Sequence, residues 1–344
     1  MDHCCPLWHV GGVVACEKYV HFQRQHRGGW DGACPMTGRV YCADGSSLAL
    51  PTLLSWSLTQ TDGEPCGCYT VEFLTDVAWG RSIFQGATLQ LGENNVTYFT
   101  GVVDEVGFSV GVGGWTGTIY GRDMAGWLLD NEACATEFVT AYLDDILTNY
   151  VTPWGITSVR ADDISPVSGY YVSSGESCWR ALEGFCRHGG DICPRFLADG
   201  TLAIGYGSGD THQITNSASV LSLDWQYNLA DEISQIVEVD LVRSAVTNHL
   251  NEQWEGGGNR QQVMLSTTRT TAASWKTAGQ RIAESQKERV VLTVKLAGRW
   301  NVSPLDYAVV SLTQWGISGN FTVVEVTNTC KNRAETTTLV LRGM

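Results

Sequence analysis

Four adjacent pairs of carboxylates stand in the chain: Asp104-Glu105, Asp144-Asp145, Asp162-Asp163 and Asp231-Glu232. A glycosidase needs its acid and its nucleophile or base facing each other across roughly 5 to 9 Å. Neighbouring residues on a helix or strand point apart, so each pair reads as a solvated face, and a cell-wall hydrolase stands as one rival reading. Cys186 and His188 raise the question of a thiol nucleophile, which requires a base within hydrogen-bond reach. Helical periodicity puts Cys186 on the apolar face and His188 near the helix C-terminus, where a cation suits the dipole. Cys66-Gly67-Cys68 falls between strands, too closely spaced for a relaxed disulfide and too small a set to define a metal site. Neither a nucleophile elbow nor a glycine-rich phosphate loop with an adjacent lysine occurs. No catalytic residue and no cofactor are expected.

The first 48 residues hold Cys4, Cys5, Cys16, Cys34 and Cys42 together with His3, His9, His21 and His26. Thiolate and imidazole are zinc's preferred ligands, and Cys34 and Cys42 are the candidates for such a site. The knuckle spacing of two to four residues is missing, so the competing reading is a hairpin-like arm with reduced thiols. Trp56, Trp79, Trp115, Trp225, Trp254, Trp300 and Trp315 could form a sugar-stacking platform. That makes a carbohydrate-binding β-protein the other rival. Spread over separate strands, they fit core or subunit-interface positions better.

These side chains must be placed by a large fold. A chain of 344 residues, 43% hydrophobic and 17% charged, has enough apolar surface for two or three cores and is not a disordered chain. The formal net charge of −14 argues against gripping phosphate backbones, which takes Lys and Arg. It suits a conduit that DNA crosses without sticking. The first residues lack the basic and apolar regions of a signal peptide, and no run approaches membrane-spanning length.

From residue 49 the text is strand-like: Leu53 to Thr59, Tyr69 to Phe73, Ile83 to Leu91, Val96 to Val106 and Trp115 to Tyr120, with turn signals such as Asp62-Gly63 between. After Gly121-Arg122-Asp123 the period changes. Met124 to Asn131 begins helical text. From Ala135 to Tyr150, Phe138, Val139, Tyr142, Leu143, Ile146, Leu147 and Tyr150 recur at helical steps. Ser173 with Glu176 forms a capping-box pattern before a second helix that Gly189-Gly190 ends. Asp199-Gly200 joins two apolar strands between Ile192 and Tyr206. Further strands are expected over Ile233 to Val242, Val290 to Leu296, Tyr307 to Leu312, Phe321 to Val326 and Thr336 to Leu341, with a helix over Ala272 to Glu288. The predicted fold class is mainly β with an α+β insert: two small β-barrels flanking a helix-helix-hairpin unit. The divisions are 1–48, an irregular Cys/His-rich extension; 49–125, a first barrel; 126–210, an α/β middle domain; and 211–344, a second barrel with one helix.

The two β-rich parts share an internal order. In the first, Ala87 to Leu91 is followed by a strand with Phe99 and Gly101, then by Gly117 to Tyr120 and Gly121-Arg122-Asp123. In the second, Pro304 to Val310 is followed by a strand with Gly319 and Phe321, then by the threonine-rich Glu335 to Leu341. This order resembles the baseplate hub proteins of contractile phage tails and related injection systems, the group of the Mu-like hub and late control protein D. The resemblance covers about residues 49 to 344.

The resemblance implies a structural protein of a virion tail or phage-like particle, assembled in the bacterial cytoplasm. It implies a homotrimer with two similar barrels per chain, so that six barrels form a ring. Such a ring would join a hexameric tail tube to a trimeric spike, acting as a symmetry adapter. The expected partners are the chain itself, a tail-tube protein and a spike or tape-measure protein.

Overall fold

The computed structural model describes residues 36–62, 66–75, 88–205, 209–216, 218–241, 243–266, 270–271, 277–287 and 289–343. Cys34, Trp79, the four histidines before residue 30 and most of the segment Ile83 to Leu91 lie outside them.

The chain is mostly β. Its strands are β1 (Thr37–Tyr41), β2 (Ser47–Ala49), β3 (Leu53–Thr61), β4 (Cys68–Thr75), β5 (Thr88–Glu93), β6 (Val96–Val102), β7 (Glu105–Gly111) and β8 (Gly114–Arg122). There follow β9 (Thr136–Ala141), β10 (Val159–Ala161), β11 (Val167–Val172), β12 (Pro194–Phe196), β13 (Leu202–Ile204), β14 (Thr211–Thr215) and β15 (Val220–Tyr227). The last are β16 (Gln235–Asp240), β17 (Ala245–Leu250), β18 (Gln261–Ser266), β19 (Thr270–Thr271), β20 (Val290–Ala297), β21 (Tyr307–Leu312), β22 (Ile317–Lys331) and β23 (Ala334–Gly343). The helices are α1 (Ala125–Leu129), α2 (Leu143–Tyr150), α3 (Cys178–Gly190) and α4 (Ala278–Lys287).

One sheet carries both β-rich parts. Its strands run β15-β20-β23-β22-β3-β4-β8-β7, every neighbouring pair antiparallel. The joint is β22 with β3, where Val326 stands opposite Gln60 and Cys330 opposite Trp56. The order contains a repeat. Numbered by their place in the chain, β15, β20, β22 and β23 lie side by side as first, second, fourth, third, and so do β3, β4, β7 and β8. The front half is covered by a second sheet, β2-β1-β5-β6. On the back half, β14 pairs in parallel with β21, which pairs with β22.

Alternation explains these strands. Tyr69, Val71 and Phe73 of β4, and Leu292, Val294 and Leu296 of β20, are buried while their neighbours keep some exposure. Each such side chain contributes about 1.5–3 kcal/mol when fully buried. The front core includes Trp56, Tyr69, Phe73, Phe99 and Ile119, and the back core includes Ile214, Leu292, Val310, Phe321 and Leu341. Residues 36–48, expected to be irregular, supply Met36 and Val40 to the front core through β1.

Between the halves, α1, α2 and α3 pack with two small sheets around Tyr150, Tyr170, Leu182, Phe185 and Leu202. The Asp199-Gly200 hairpin forms as expected, with Gly200 at φ +84 and Phe196 opposite Leu202. The helix expected from Ala135 begins only at Leu143. Residues Thr136–Ala141 are β9, antiparallel to β11, because Thr136, Val139 and Thr140 are β-branched and a partner strand is at hand. The second helix starts later than expected too. Ser177, not Ser173, caps it by accepting the Arg180 N–H, while the Glu176 carboxylate accepts from the Ser173 N–H in the preceding turn.

Candidate functional site

The features that stand out are the edges of the main sheet and the joints between its parts, and the sequence builds both in local steps. Among the described residues β7 pairs only with β8, and β15 only with β20. The sheet therefore ends in two long edge strands, Glu-Val-Gly-Phe-Ser-Val-Gly and Val-Leu-Ser-Leu-Asp-Trp-Gln-Tyr. Each carries one charge, and neither has the lysine or proline that usually blunts an exposed edge. On β15, Trp225 and Tyr227 are stacked with ring centroids 6.3 Å apart, and both are about half exposed.

The step from the front half into the middle unit is a polar joint. Arg122 ends β8 and donates to both oxygens of Asp104 at 2.8 Å, and to both of Asp130 at 3.0 and 2.6 Å. Hydrogen bonding to this guanidinium holds the Asp130 carboxyl below its usual range. The pair of carboxylates in turn raises the arginine. Asp123, next along, accepts from the backbone N–H of Gly67 at 2.6 Å and of Ala125 at 2.9 Å. The residue keeps some surface, but its carboxyl lies inside the wall, and burial pushes it up to about 7 against the two donors and Arg122. A cavity of about 60 Å³ beside it is lined by Thr61, Gly67, Asp123, Arg195 and Ser303, which come from the front half, the middle unit and the back half.

The glycines here permit close approach. A Cβ on Gly121 would lie 1.9 Å from the Val102 carbonyl oxygen, and one on Gly101 would lie 2.2 Å from that of Arg122. Tyr69 donates its hydroxyl to the same Val102 carbonyl at 2.8 Å and meets the buried Phe99 ring at 5.3 Å. Phe99, Gly101, Gly121, Arg122 and Asp123, singled out in sequence, thus form one cluster. Gly319 and Phe321 lie apart from it, on β22, with Phe321 in the back core. In the back half Asp306 is buried, takes the Ser303 N–H at 2.9 Å and sits 2.8 Å from His212 of β14.

Several of the side chains that suggested chemistry are used for structure. Asp104 holds Arg122. Asp145 accepts from the Tyr142 N–H at the start of α2, and buried Glu232 takes Arg289 at 2.8 Å and Asn251 at 3.2 Å. Cys186 is fully buried in the middle core, and burial pushes its thiol well up, which keeps it protonated at neutral pH. Trp56 is buried at the joint, whereas Trp115, Trp225 and Trp315 are exposed on different elements. Cys42 belongs to the edge of the front core. No group of three or more His, Cys, Asp or Glu with metal-binding geometry occurs among the described residues. None of their helices is long and apolar enough to cross a membrane.

No protein-family model and no curated protein matches this chain. Solved structures do. The tail protein from Neisseria meningitidis MC58 superposes with a TM-score of 0.71 at 17% identity, over 89% of this chain and 96% of that one. The chain has a tail-protein fold. The 43 kDa tail protein of prophage MuSo2 from Shewanella oneidensis matches with a TM-score of 0.68 at 15% identity, over 89% of this chain and 98% of that one. A type VI secretion system component of E. coli, itself structurally similar to T4 bacteriophage tail proteins gp27 and gp5, matches with a TM-score of 0.53 at 11% identity, over 85% and 73%. The tail-protein fold thus spans both β halves and the middle unit, as the sequence resemblance implied. The strands that carry the open edges were not identified in sequence: the expected strand Val96 to Val106 takes in only the first two residues of β7, and no strand is expected over β15.

Proposed function

We propose that this chain is the hub of a phage-type tail or related injection apparatus, with three copies closing into a ring. The observation that carries the reading is the repeated strand order with both outer strands open. Within one copy, the third strand of the back half, β22, pairs antiparallel with the first strand of the front half, β3. The same pairing between copies would set the third strand of the front half, β7, against the first strand of the next copy's back half, β15. Directions agree: eight alternating strands leave β7 and β15 antiparallel, so the ladder can continue across the seam. Eight strands per copy and three copies make a ring of 24 strands, threefold in sequence and sixfold in strand order. Closure hides edges that would otherwise template aggregation.

A ring of this kind matches a hexameric tube on one side and a trimeric spike on the other. The spike or tape-measure protein and the tube protein are its partners besides itself. Its net charge of −14 disfavours adhesion to a passing nucleic acid. Its work is mechanical. Native mass spectrometry of the hub purified with its tube and spike proteins tests the reading: three copies per particle are expected, and any other copy number would overturn it.

A further inference from the structure

Between β15 and β20 the chain leaves the main sheet and returns at the same place, where Tyr227 stands opposite Val290 and the Asn228 N–H donates to the Arg289 carbonyl. The excursion contains a three-stranded sheet, β17-β16-β18, and helix α4. One face of this small sheet is covered: Ile236 packs with Ala278 and Ile282 of α4 and with Met264. Among the described residues nothing is packed on the other face.

Register fixes what that open face presents. Val239 is flanked by Val246 and Leu265, Val237 by Asn248 and Val263, and Gln235 by Leu250 and Gln261. Cross-strand partners share a face, so six aliphatic side chains and three neutral amides form three aligned rows without one charge. Val246 and Leu250 are each 66% exposed, Val263 60% and Leu265 58%. Monomeric proteins seldom leave contiguous apolar patches beyond a few hundred Å². A face free of carboxylates is also unusual in a chain carrying 36 acidic residues against 22 basic ones, and it is where like-charged copies can approach.

Position indicates the occupant. The excursion hangs from the end of β15, the edge strand, and the Tyr227 hydroxyl donates to Glu255 within it. The strand directions send β8 and β15 toward the same end of the sheet. In a ring where β15 meets the next copy's β7, the neighbour's β8 therefore delivers its middle unit beside this excursion. The excursion's own middle unit is engaged elsewhere, through β19 against β11. On the middle unit Val139 is 91% exposed and Tyr142 56%.

We infer that the open face of β17-β16-β18 is a subunit interface, covered in the assembled ring by the middle unit of a second copy of this chain. The placement rests on the ring reading, and two probes separate the two ideas. A photo-activated cross-linking amino acid would be introduced in place of Val263, and separately in place of Leu221 on the edge strand, in assembled particles. The expected result at Val263 is a species of twice the chain's mass whose cross-linked peptide maps to this chain. A cross-link from Val263 only to a different protein, or none at all, overturns the inference. If Leu221 still links to a second copy in that case, the ring stands without this interface. If Val263 links to a second copy and Leu221 does not, the interface stands and the β7 to β15 seam falls. As a second measurement, Val263→Glu with Leu265→Glu should leave thermal unfolding of the isolated chain unchanged and reduce its incorporation into particles at least tenfold. Unchanged incorporation would contradict the inference.

Discussion

The hydroxyls of Thr59 and Thr327, 268 residues apart in sequence, lie 3.0 Å apart and share a hydrogen bond across the β3–β22 joint. Through that joint the first and last β segments become a single sheet, so damage on either side should be felt by both halves. Trp56, 3% exposed and opposite Cys330, is the largest side chain there. Among the described residues its indole N–H has no hydrogen-bond partner, so packing dominates its contribution. Trp56→Ala should destabilise the protein by about 3–5 kcal/mol. Trp56→Phe should keep most of that stability. Chemical denaturation followed by circular dichroism distinguishes the two.

Arg122 grips two carboxylates with a planar fork. Arg122→Ala leaves Asp104 and Asp130 facing each other and should lower stability by about 2–4 kcal/mol. Arg122→Lys should recover less than half of this, since an ammonium cannot make both bidentate contacts. A thermal-shift series of the three proteins checks the order.

Gly101 and Gly121 are there for backbone proximity. Gly101→Ala and Gly121→Ala must push a methyl group into a carbonyl oxygen and should each prevent accumulation of folded protein or lower its melting temperature by many degrees. Gly107→Ala on β7, where a Cβ would meet nothing within 4 Å, should change little. Equal effects at all three positions would contradict the packing described.

Asp123 gives the fold a pH dependence. Its carboxyl titrates at about 7 when folded, against 3.8 ordinarily, so the folded state holds the proton more tightly than the unfolded chain. This contribution is fully present below pH 3.8, declines as pH rises and is lost above about 7. The span is at most about 4 kcal/mol. Asp123→Asn keeps an acceptor for the Gly67 and Ala125 N–H groups and cannot ionise. The variant should therefore gain on the native protein as pH rises from about 4 to 7, as read from denaturation midpoints at each pH. A gap that does not change with pH would count against the buried carboxyl.

Much of this architecture was legible in the residues. Strict alternation disclosed β20, partial alternation disclosed β4, and the Asp199-Gly200 turn disclosed its hairpin, because one buried face and one tight turn leave few alternatives. Local text failed where pairing decided. Thr136–Ala141 has apolar residues at helical steps but β-branched ones among them, and β11 beside it settled the matter. The edge strand β15 alternates in sequence, Leu221, Leu223, Trp225 and Tyr227 against Ser222, Asp224 and Gln226, so it was as legible as β20, although its apolar side stays largely exposed. The polar cluster at the joint was half visible: Gly121, Arg122 and Asp123 stand together in sequence, but their partners Asp104, Asp130 and Gly67 are brought in by folding. The apolar face of β17-β16-β18 was not foreseen, since of its three strands only the central one was expected and the register that aligns their side chains is set by folding.

The proposed ring stands or falls on the seam between copies. Electron cryomicroscopy of the assembled tail end, at a resolution that separates strands, examines it directly. The expected map shows β7 of one copy lying antiparallel to β15 of the next at the usual strand spacing of about 4.8 Å, closing 24 strands from three copies. A map in which β7 and β15 face solvent, or are covered by another protein, would contradict it.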